Sequence, residues 1–239
     1  MTAFLSVRGL RASYGAAQVL FDVSLVVAAG EVVTLLGRNG MGRSTTVKCV
    51  FGLLRPGGGE IHVGGQRCDG WASHRIARLG LGLVPEGRQV FPNLTVQENL
   101  TATARRASAV KGQTEPWGLK RIYGLFPRLE ERRSNLGNQL SGGEQQMLAI
   151  SRALMTNPCV LVLDEATEGL SPLVRGEIWK ALANLRRDGL AMVVIDKNVR
   201  ALLELADRHY VLEKGRLVWS GSSGDLRASP ETVGRYLGV

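Results

Sequence analysis

A glycine-rich stretch, GRNGMGRST, runs from residue 37 to residue 45, between an apolar segment and one with helical spacing. Its glycines allow backbone N–H groups to converge on an anion, and the positive end of a following helix adds to that attraction. A hydroxyl at Ser44 is suited to bind Mg²⁺ beside a phosphate. We therefore predict a phosphate cradle, with a simple strand-to-helix turn as the alternative. The cradle residues are Gly37, Arg38, Asn39, Gly40, Met41, Gly42, Arg43, Ser44 and Thr45.

Two acids, Asp164 and Glu165, follow the apolar segment CVLVL. Strand ends of this kind lie at the carboxyl edge of an open α/β sheet, where ligands bind. One carboxylate there can hold Mg²⁺ through water, and the next can orient and deprotonate an attacking water. A pair of solvated loop acids is the alternative, and the phosphate loop argues against it.

The segment LSGGEQQMLAISRAL, residues 140–154, places Ser141 and Glu144 in the spacing of a capping box, and its apolar residues share one helical face. A helix start accounts for these residues. It does not account for Gly142 and Gly143, because glycine lowers helix propensity in the first turn. Two glycines at this position favour the close approach of an anion.

Composition indicates an ordinary globular chain. Of 239 residues, 44% are hydrophobic and 21% charged, which is close to the average for soluble domains and predicts a single domain. The net charge of +9 is compatible with nucleic acid, acidic lipid or a polyphosphate ligand. Basic residues are dispersed and few aromatics lie among them, so we predict no nucleic-acid partner.

The apolar runs are far shorter than the roughly 20 residues that span a bilayer, and the first 15 residues do not resemble a secretory signal. We therefore expect a cytosolic protein. Cys49, Cys68 and Cys159 are widely separated and are expected to be reduced thiols. The three histidines are scattered too, and we assign no metal to these six residues.

Periodicity predicts an α/β fold. Period-two alternation over residues 5–7 and 21–27, which includes Phe21, indicates antiparallel strands at the start. A strand over residues 31–36 leads into the loop, a helix then extends to Pro56, and Ile61 and Val63 form a short strand.

Residues 92–156 are predicted to be mostly helical, starting with a capping box between Thr95 and Glu98. Two strands, at residues 159–164 and 191–196, flank a helix and predict a buried parallel sheet. The chain then ends in a hairpin through Lys214 and Gly215.

The phosphate loop, LSGGEQQ and VLVLDE occur in the order and spacing typical of the ATP-binding-cassette (ABC) ATPases. From Tyr14 to the hairpin at Trp219, the chain resembles that family. The resemblance implies ATP and Mg²⁺ as ligands and a P-loop core with a parallel sheet, an N-terminal antiparallel β lobe and a helical subdomain. In a single domain of residues 1–239, the core and β lobe would take about 1–90 and 157–239, and the helical subdomain about 91–156.

The family also implies a head-to-tail dimer, in which Ser141–Gly143 of one subunit contact the γ-phosphate held by the other. The segment ATEGLSP is similar to the family's dimer-contact loop. By the same resemblance Tyr14 stacks on adenine, although a half-covered tyrosine at a strand end is the alternative. The implied ATP-binding residues are Tyr14, the cradle residues, Ser141, Gly142, Gly143 and Glu144; the catalytic residues are Glu165, Lys197 and Arg43; the metal ligands are Ser44, Asp164 and Glu86.

Three further segments, LLGRNGMG, VPEGRQVFPNLTVQENL and ELADRHYVLEKGRLVWSG, resemble the ATP-binding subunits of branched-chain amino acid importers. A sister branch imports urea or short amides. The implied partners are a second ATP-binding subunit, identical or a paralogue, and membrane-spanning permease subunits, with a periplasmic solute-binding protein acting indirectly. This places the chain at the cytoplasmic face of the inner membrane.

Three residues depart from the wider family. Arg43 stands where the loop pattern has lysine, and its broad guanidinium is expected to slow hydrolysis while ATP still binds. Glu86 replaces a glutamine that senses the γ-phosphate, and it either reaches Mg²⁺ through water or serves coupling alone. Lys197 replaces a histidine and either contacts phosphate or lies solvated at the surface.

These observations favour an importer ATPase. A subunit that binds ATP and dimerises without turnover is the second hypothesis, and Arg43 is its main support. A cassette protein acting on nucleic acid or ribosomes is the third, encouraged only by the basic charge.

Overall fold

A ten-stranded sheet with helices on both faces forms the framework of the computed structural model, which describes residues 3–105 and 115–237. The strands are β1 (Ala3–Tyr14), β2 (Ala17–Ala28), β3 (Val32–Leu36), β4 (Gly58–Val63), β5 (Gln66–Arg67), β6 (Leu81–Val84), β7 (Val160–Asp164), β8 (Ala191–Ile195), β9 (Arg208–Glu213) and β10 (Arg216–Ser222). The helices are α1 (Arg43–Val50), α2 (Ser73–Arg78), α3 (Val96–Thr103), α4 (Leu119–Leu125), α5 (Pro127–Glu131), α6 (Gly142–Leu154), α7 (Pro172–Arg187), α8 (Val199–Leu205), α9 (Ser223–Arg227) and α10 (Pro230–Leu237).

The strand order is β5-β4-β1-β2-β10-β9-β3-β8-β7-β6. Strands β5, β4, β1 and β2 are mutually antiparallel, whereas β9, β3, β8, β7 and β6 are parallel. The predicted fold class, a parallel core with an antiparallel N-terminal lobe, is confirmed.

The parallel strands are buried on both faces because alternate side chains enter two different cores. In β7, Leu161 and Leu163 join the core formed with helices α3 to α8, while Val160 and Val162 join the core formed with α1 and the β lobe. This arrangement fixes the sheet's carboxyl edge, where Asp164 lies.

The start of the chain contains one departure from the predicted alternation. Phe21 was predicted to share a face with the apolar residues of β2 that follow it, but Leu20 is fully buried and Phe21 only partly. The β1–β2 register shifts between the pairs Leu10–Val23 and Ala12–Leu20. An irregularity of this kind exchanges the two faces of a strand, which period-two reasoning cannot anticipate.

The helix after the phosphate loop is shorter than predicted. It ends at Val50, with Phe51 as its C-cap, and the chain then turns through residues 51–54 instead of continuing to Pro56. Gly52 explains the early end, since its φ of 64° is left-handed and a side chain there would contact the Trp71 backbone.

The segment predicted to be mostly helical contains α3 to α6, and the capping box at Thr95 and Glu98 is present. Residues 106–114 of this segment lie outside the described residues. Among the helices of the described residues, none combines the length and the apolar character that crossing a bilayer requires.

The turn between β9 and β10 is hydrogen-bonded to the phosphate loop. The Gly215 amide donates to the Met41 carbonyl at 3.1 Å, and the Phe21 amide donates to the Gly215 carbonyl at 3.0 Å. Gly215 has a φ of 73°, and a Cβ on it would overlap the Val19 carbonyl oxygen. A turn at the end of the chain thus fixes a loop near its beginning.

We predict that Gly215→Ala lowers the free energy of unfolding by about 2–4 kcal/mol, because left-handed strain adds to a backbone overlap. Gly65→Ala is the matched control: its φ is 81°, but a Cβ there would meet no atom of the described residues within 4 Å. The control should cost about 1 kcal/mol. Urea denaturation measures both, and equal losses would contradict a close approach at Gly215.

Candidate functional site

The phosphate loop joins β3 to α1 and has the backbone of an anion cradle. Gly37, Gly40 and Gly42 all have positive φ values, of 140°, 78° and 104°. Gly42 is the N-cap of α1 and supplies no side-chain cap, and within the described residues the amides of residues 43–45 have no backbone acceptor. Unpaired amides at a helix start are stabilised by an anion. The predicted loop is therefore present in a conformation that can receive phosphate.

Two of these glycines are also required by their surroundings. A Cβ on Gly42 would lie 2.6 Å from Leu20 Cδ2, and one on Gly37 would overlap the Leu212 carbonyl oxygen. The loop thus packs directly against β2 and β9, so its position is set by the sheet.

Asp164 ends β7 next to the Ser44 hydroxyl and is only 6% exposed. Burial raises the pKa of its carboxyl, while Ser44 and Arg43 oppose that effect and Glu86 adds to it. Its Oδ1 atom is buried and has no hydrogen-bond partner among the described residues. An unpaired buried carboxylate oxygen is costly unless a cation or water satisfies it. Asp164, Ser44 and nearby Glu86 therefore form an all-oxygen donor set that fits Mg²⁺.

Arg43 links the phosphate loop to the second acid. Its guanidinium is buried and donates through Nη2 to Glu165 Oε1 at 2.9 Å and to Asn39 Oδ1 at 3.1 Å. The side chains of Arg43 and Glu165 are 6% and 11% exposed, so the pair is largely shielded from water. Burial of both charges makes the pair costly to break one partner at a time.

Glu165 occupies a strained position at the strand end, with a φ of 51°, and its amide donates to the Ile195 carbonyl at 2.8 Å. A hydrogen bond shared with Glu168, together with burial, raises the pKa of the Glu165 carboxyl to about 7, although Arg43 and Lys197 act in the opposite direction. A carboxyl group with a pKa near neutrality is well suited to general-base chemistry.

Lys197 follows β8 and pairs with Glu168, its Nζ lying 2.5 Å from Oε1. Both side chains are about half exposed. The Lys197 ammonium group thus pairs with a carboxylate in this structure. Its contact with phosphate stays a prediction.

The LSGGE segment begins α6 as predicted. The Ser141 hydroxyl accepts from the Glu144 amide at 3.3 Å, and the Glu144 carboxylate accepts from the Ser141 amide at 2.7 Å. The Glu144 carboxylate is used in this capping box, so a role of Glu144 in ATP binding stays a prediction. Gly143 also has a packing role, since a Cβ there would lie 2.7 Å from Val174 Cγ1. That contact was not foreseen.

Tyr14 ends β1 with 45% of its surface exposed, and the Lys48 ammonium of α1 lies 5.8 Å from its ring centroid. An exposed aromatic face beside the helix that follows the phosphate loop is available for stacking on a flat base. Its assignment to adenine stays a prediction.

Two residues near the site were not singled out by sequence reasoning. Glu168 joins Glu165 to Lys197, and Arg88 donates to the Gly169 carbonyl at 3.3 Å while lying over Gly142. Both occur within segments that carried the family resemblance, which is the only sequence signal for them.

Comparison with known proteins agrees with this geometry. The family model described as ABC transporter matches residues 20–168. The chain is 41% identical to the high-affinity branched-chain amino acid transport ATP-binding protein BraG of Pseudomonas aeruginosa, over 94% of this chain and 95% of that protein. It is 34% identical to the lipopolysaccharide export system ATP-binding protein LptB of Haemophilus influenzae, over 99% of this chain and 98% of that protein.

Among solved structures, one described as the ATP-binding subunit of an ABC transporter superposes with a TM-score of 0.81 at 28% identity, covering 99% of this chain and 97% of the other. The family model spans more than half of the chain. The alignments with BraG and LptB cover almost the full length of this chain and of each relative. The chain therefore belongs to the ABC transporter family, as an ATP-binding subunit.

Proposed function

We propose that this chain hydrolyses ATP to drive a branched-chain amino acid importer, and that Arg43 makes its turnover slow. The observation that carries the proposal is the juxtaposition of loop amides that have no backbone acceptor in the described part of the chain, the Asp164–Ser44 pair and Glu165 at one sheet edge. Similarity to BraG supports the solute class, while similarity to LptB, at lower identity, shows that related chains serve other cargoes. Urea or short amides are the alternative solutes.

In the proposed reaction the amides of residues 43–45 bind the phosphates of ATP, and Tyr14 covers the adenine. Ser44, Asp164 and Glu86 would hold Mg²⁺, which neutralises phosphate charge when bound. Glu165 orients water toward the γ-phosphorus and accepts its proton at the carboxylate. Ser141–Gly143 of a second subunit contact the γ-phosphate, so ATP holds two subunits together until it is hydrolysed.

Arg43 affects this reaction in two ways. Before nucleotide binds, the guanidinium is held by Glu165 and Asn39, so ATP must compete with a carboxylate for it. While that pairing persists, Glu165 is a weaker base, because an adjacent cation favours its ionised form. The competition opposes ATP binding, whereas the weaker base slows hydrolysis.

The same ion pair favours a second candidate function, a subunit that dimerises on ATP with negligible turnover beside an active paralogue. The two candidates differ in one quantity, the steady-state rate of phosphate release. In either case we place the chain at the cytoplasmic face of the inner membrane, associated with permease subunits. Co-purification with those subunits tests that placement.

We predict that Arg43→Lys raises kcat about 100–1000-fold, because a compact ammonium fits the cradle and restores about 3–4 kcal/mol of transition-state stabilisation. A coupled phosphate-release assay at saturating Mg-ATP measures the rate. Arg55→Lys, at an exposed position beyond α1, is the control and should leave kcat unchanged. Fast and equal turnover in the parent and Arg43→Lys would remove both the impairment and the second candidate.

We predict that Glu165→Gln traps a closed, ATP-bound pair, because amide nitrogen cannot accept the proton from water. Sedimentation velocity with ATP should show a dimer, and with ADP a monomer. Glu204→Gln, on the exposed part of α8, is the matched control and should not accumulate the dimer. A monomer at saturating Mg-ATP would count against the role given to Glu165.

A further inference from the structure

Arg88 lies where three segments of the site meet. It follows β6 in the VPEGR segment, and its Nη2 donates to the Gly169 carbonyl at 3.3 Å. Its guanidinium also covers the first residue of α6, since a Cβ on Gly142 would lie 3.0 Å from Arg88 Cζ. The side chain thus contacts both the LSGGE helix start and the EGLSP loop.

The backbone holds Arg88 in an unusual conformation. Its φ is 51°, which is rare for a residue with a side chain and costs free energy. The following segment is anchored by Asn99, whose amide group bonds the Phe91 amide and carbonyl at 2.9 and 3.0 Å, and by Arg152, which stacks on Phe91. The loop is therefore fixed on α3 and α6, and the fixed loop directs the guanidinium toward Gly142.

The charge of Arg88 is left uncompensated at this place. In residues 3–105 and 115–237, its guanidinium forms no ion pair, and its hydrogen-bond acceptor is a neutral carbonyl. It lies at the N-terminal end of α6, where the helix already presents partial positive charge and a cation is unfavourable. A cation and a helix start placed together both attract an anion.

We propose that Arg88 acts across the dimer, as a phosphate-contacting residue for the ATP held by a second copy of this chain. The inference rests on the proposed function, in which Ser141–Gly143 face the partner's γ-phosphate. The guanidinium fork matches phosphate oxygens in two directions, and it lies on the glycine that the phosphate approaches. Gly142 is then required for two reasons, since a side chain there would displace Arg88 as well as the phosphate.

The test compares Arg88→Gln with Arg88→Lys in the Glu165→Gln background, using sedimentation equilibrium with saturating ATP. Glutamine keeps a donor for the Gly169 carbonyl but loses the charge, whereas lysine keeps the charge. We expect Arg88→Gln to weaken pairing about tenfold to a hundredfold, as loss of a charge-assisted contact does. Arg88→Lys should weaken pairing less than Arg88→Gln does, because it keeps a point charge that attracts phosphate although it loses the guanidinium fork.

Two results would overturn the inference: undiminished pairing in Arg88→Gln, or equal losses in both variants, which would reveal a purely structural contact. The proposed function fails separately, when the Glu165→Gln parent itself does not pair on ATP. Calorimetry at protein concentrations too low for pairing should give the same ATP affinity in all three proteins, since the contact is made in trans.

Mixed dimers test the direction of the contact. Gly42→Val removes ATP binding from one copy, because its Cβ would meet Leu20 Cδ2 at 2.6 Å in a left-handed residue. The remaining ATP is then held by the intact loop of one copy and the α6 start of the other. Arg88→Gln should weaken pairing when it is carried by the loop-defective copy and not when carried by the intact one. The reverse pattern would place Arg88 on its own subunit's nucleotide and overturn the inference.

Discussion

A buried cation is stable only beside an anion, and the cation of the phosphate loop pairs with a carboxylate at the carboxyl edge of the sheet. Arg43 and Glu165 are 122 residues apart in sequence and 2.9 Å apart in space, both largely shielded from water. Removing either partner would leave an isolated charge in a low-dielectric site, which is far more costly than the net gain from the pair. The loop and the end of β7 are therefore held together by the residues that the proposed chemistry uses.

The sheet makes that pairing possible. β3 and β7 are parallel and separated by β8, so the loop after β3 and the acids after β7 emerge at the same edge. The β9–β10 turn holds the loop on the other side through Gly215 and Met41. The site is thus built on rigid strands, and the strained residues near it, Glu165 and Arg88, are the ones that carry function in our proposals.

Local signals predicted most of the framework. The capping boxes at Thr95 and Ser141 depend on residues three apart, and the parallel pairing of β7 with β8 follows from the helix between them; these predictions were confirmed. Long-range packing accounts for what was missed. The turn at Gly52 depends on Trp71, the exchange of Leu20 for Phe21 depends on the register with β1, and Gly143 depends on Val174. The division into a core and a helical subdomain stays a prediction.

The two basic residues that depart from the family pattern, Arg43 and Lys197, belong to one network of charged side chains. Arg43 contacts Glu165, Glu165 shares a hydrogen bond with Glu168, and Glu168 contacts Lys197. In this network, each of the two cations is paired with a carboxylate when no phosphate is bound. In the function that we propose, the negative charges of ATP compete with both carboxylates for these cations. A neutral imidazole after β8 would remove one of these two cations, whereas a lysine in the loop would keep its charge. Because the two ion pairs are joined through the Glu165–Glu168 hydrogen bond, we expect substitutions of Arg43 and Lys197 to have non-additive effects on ATP binding.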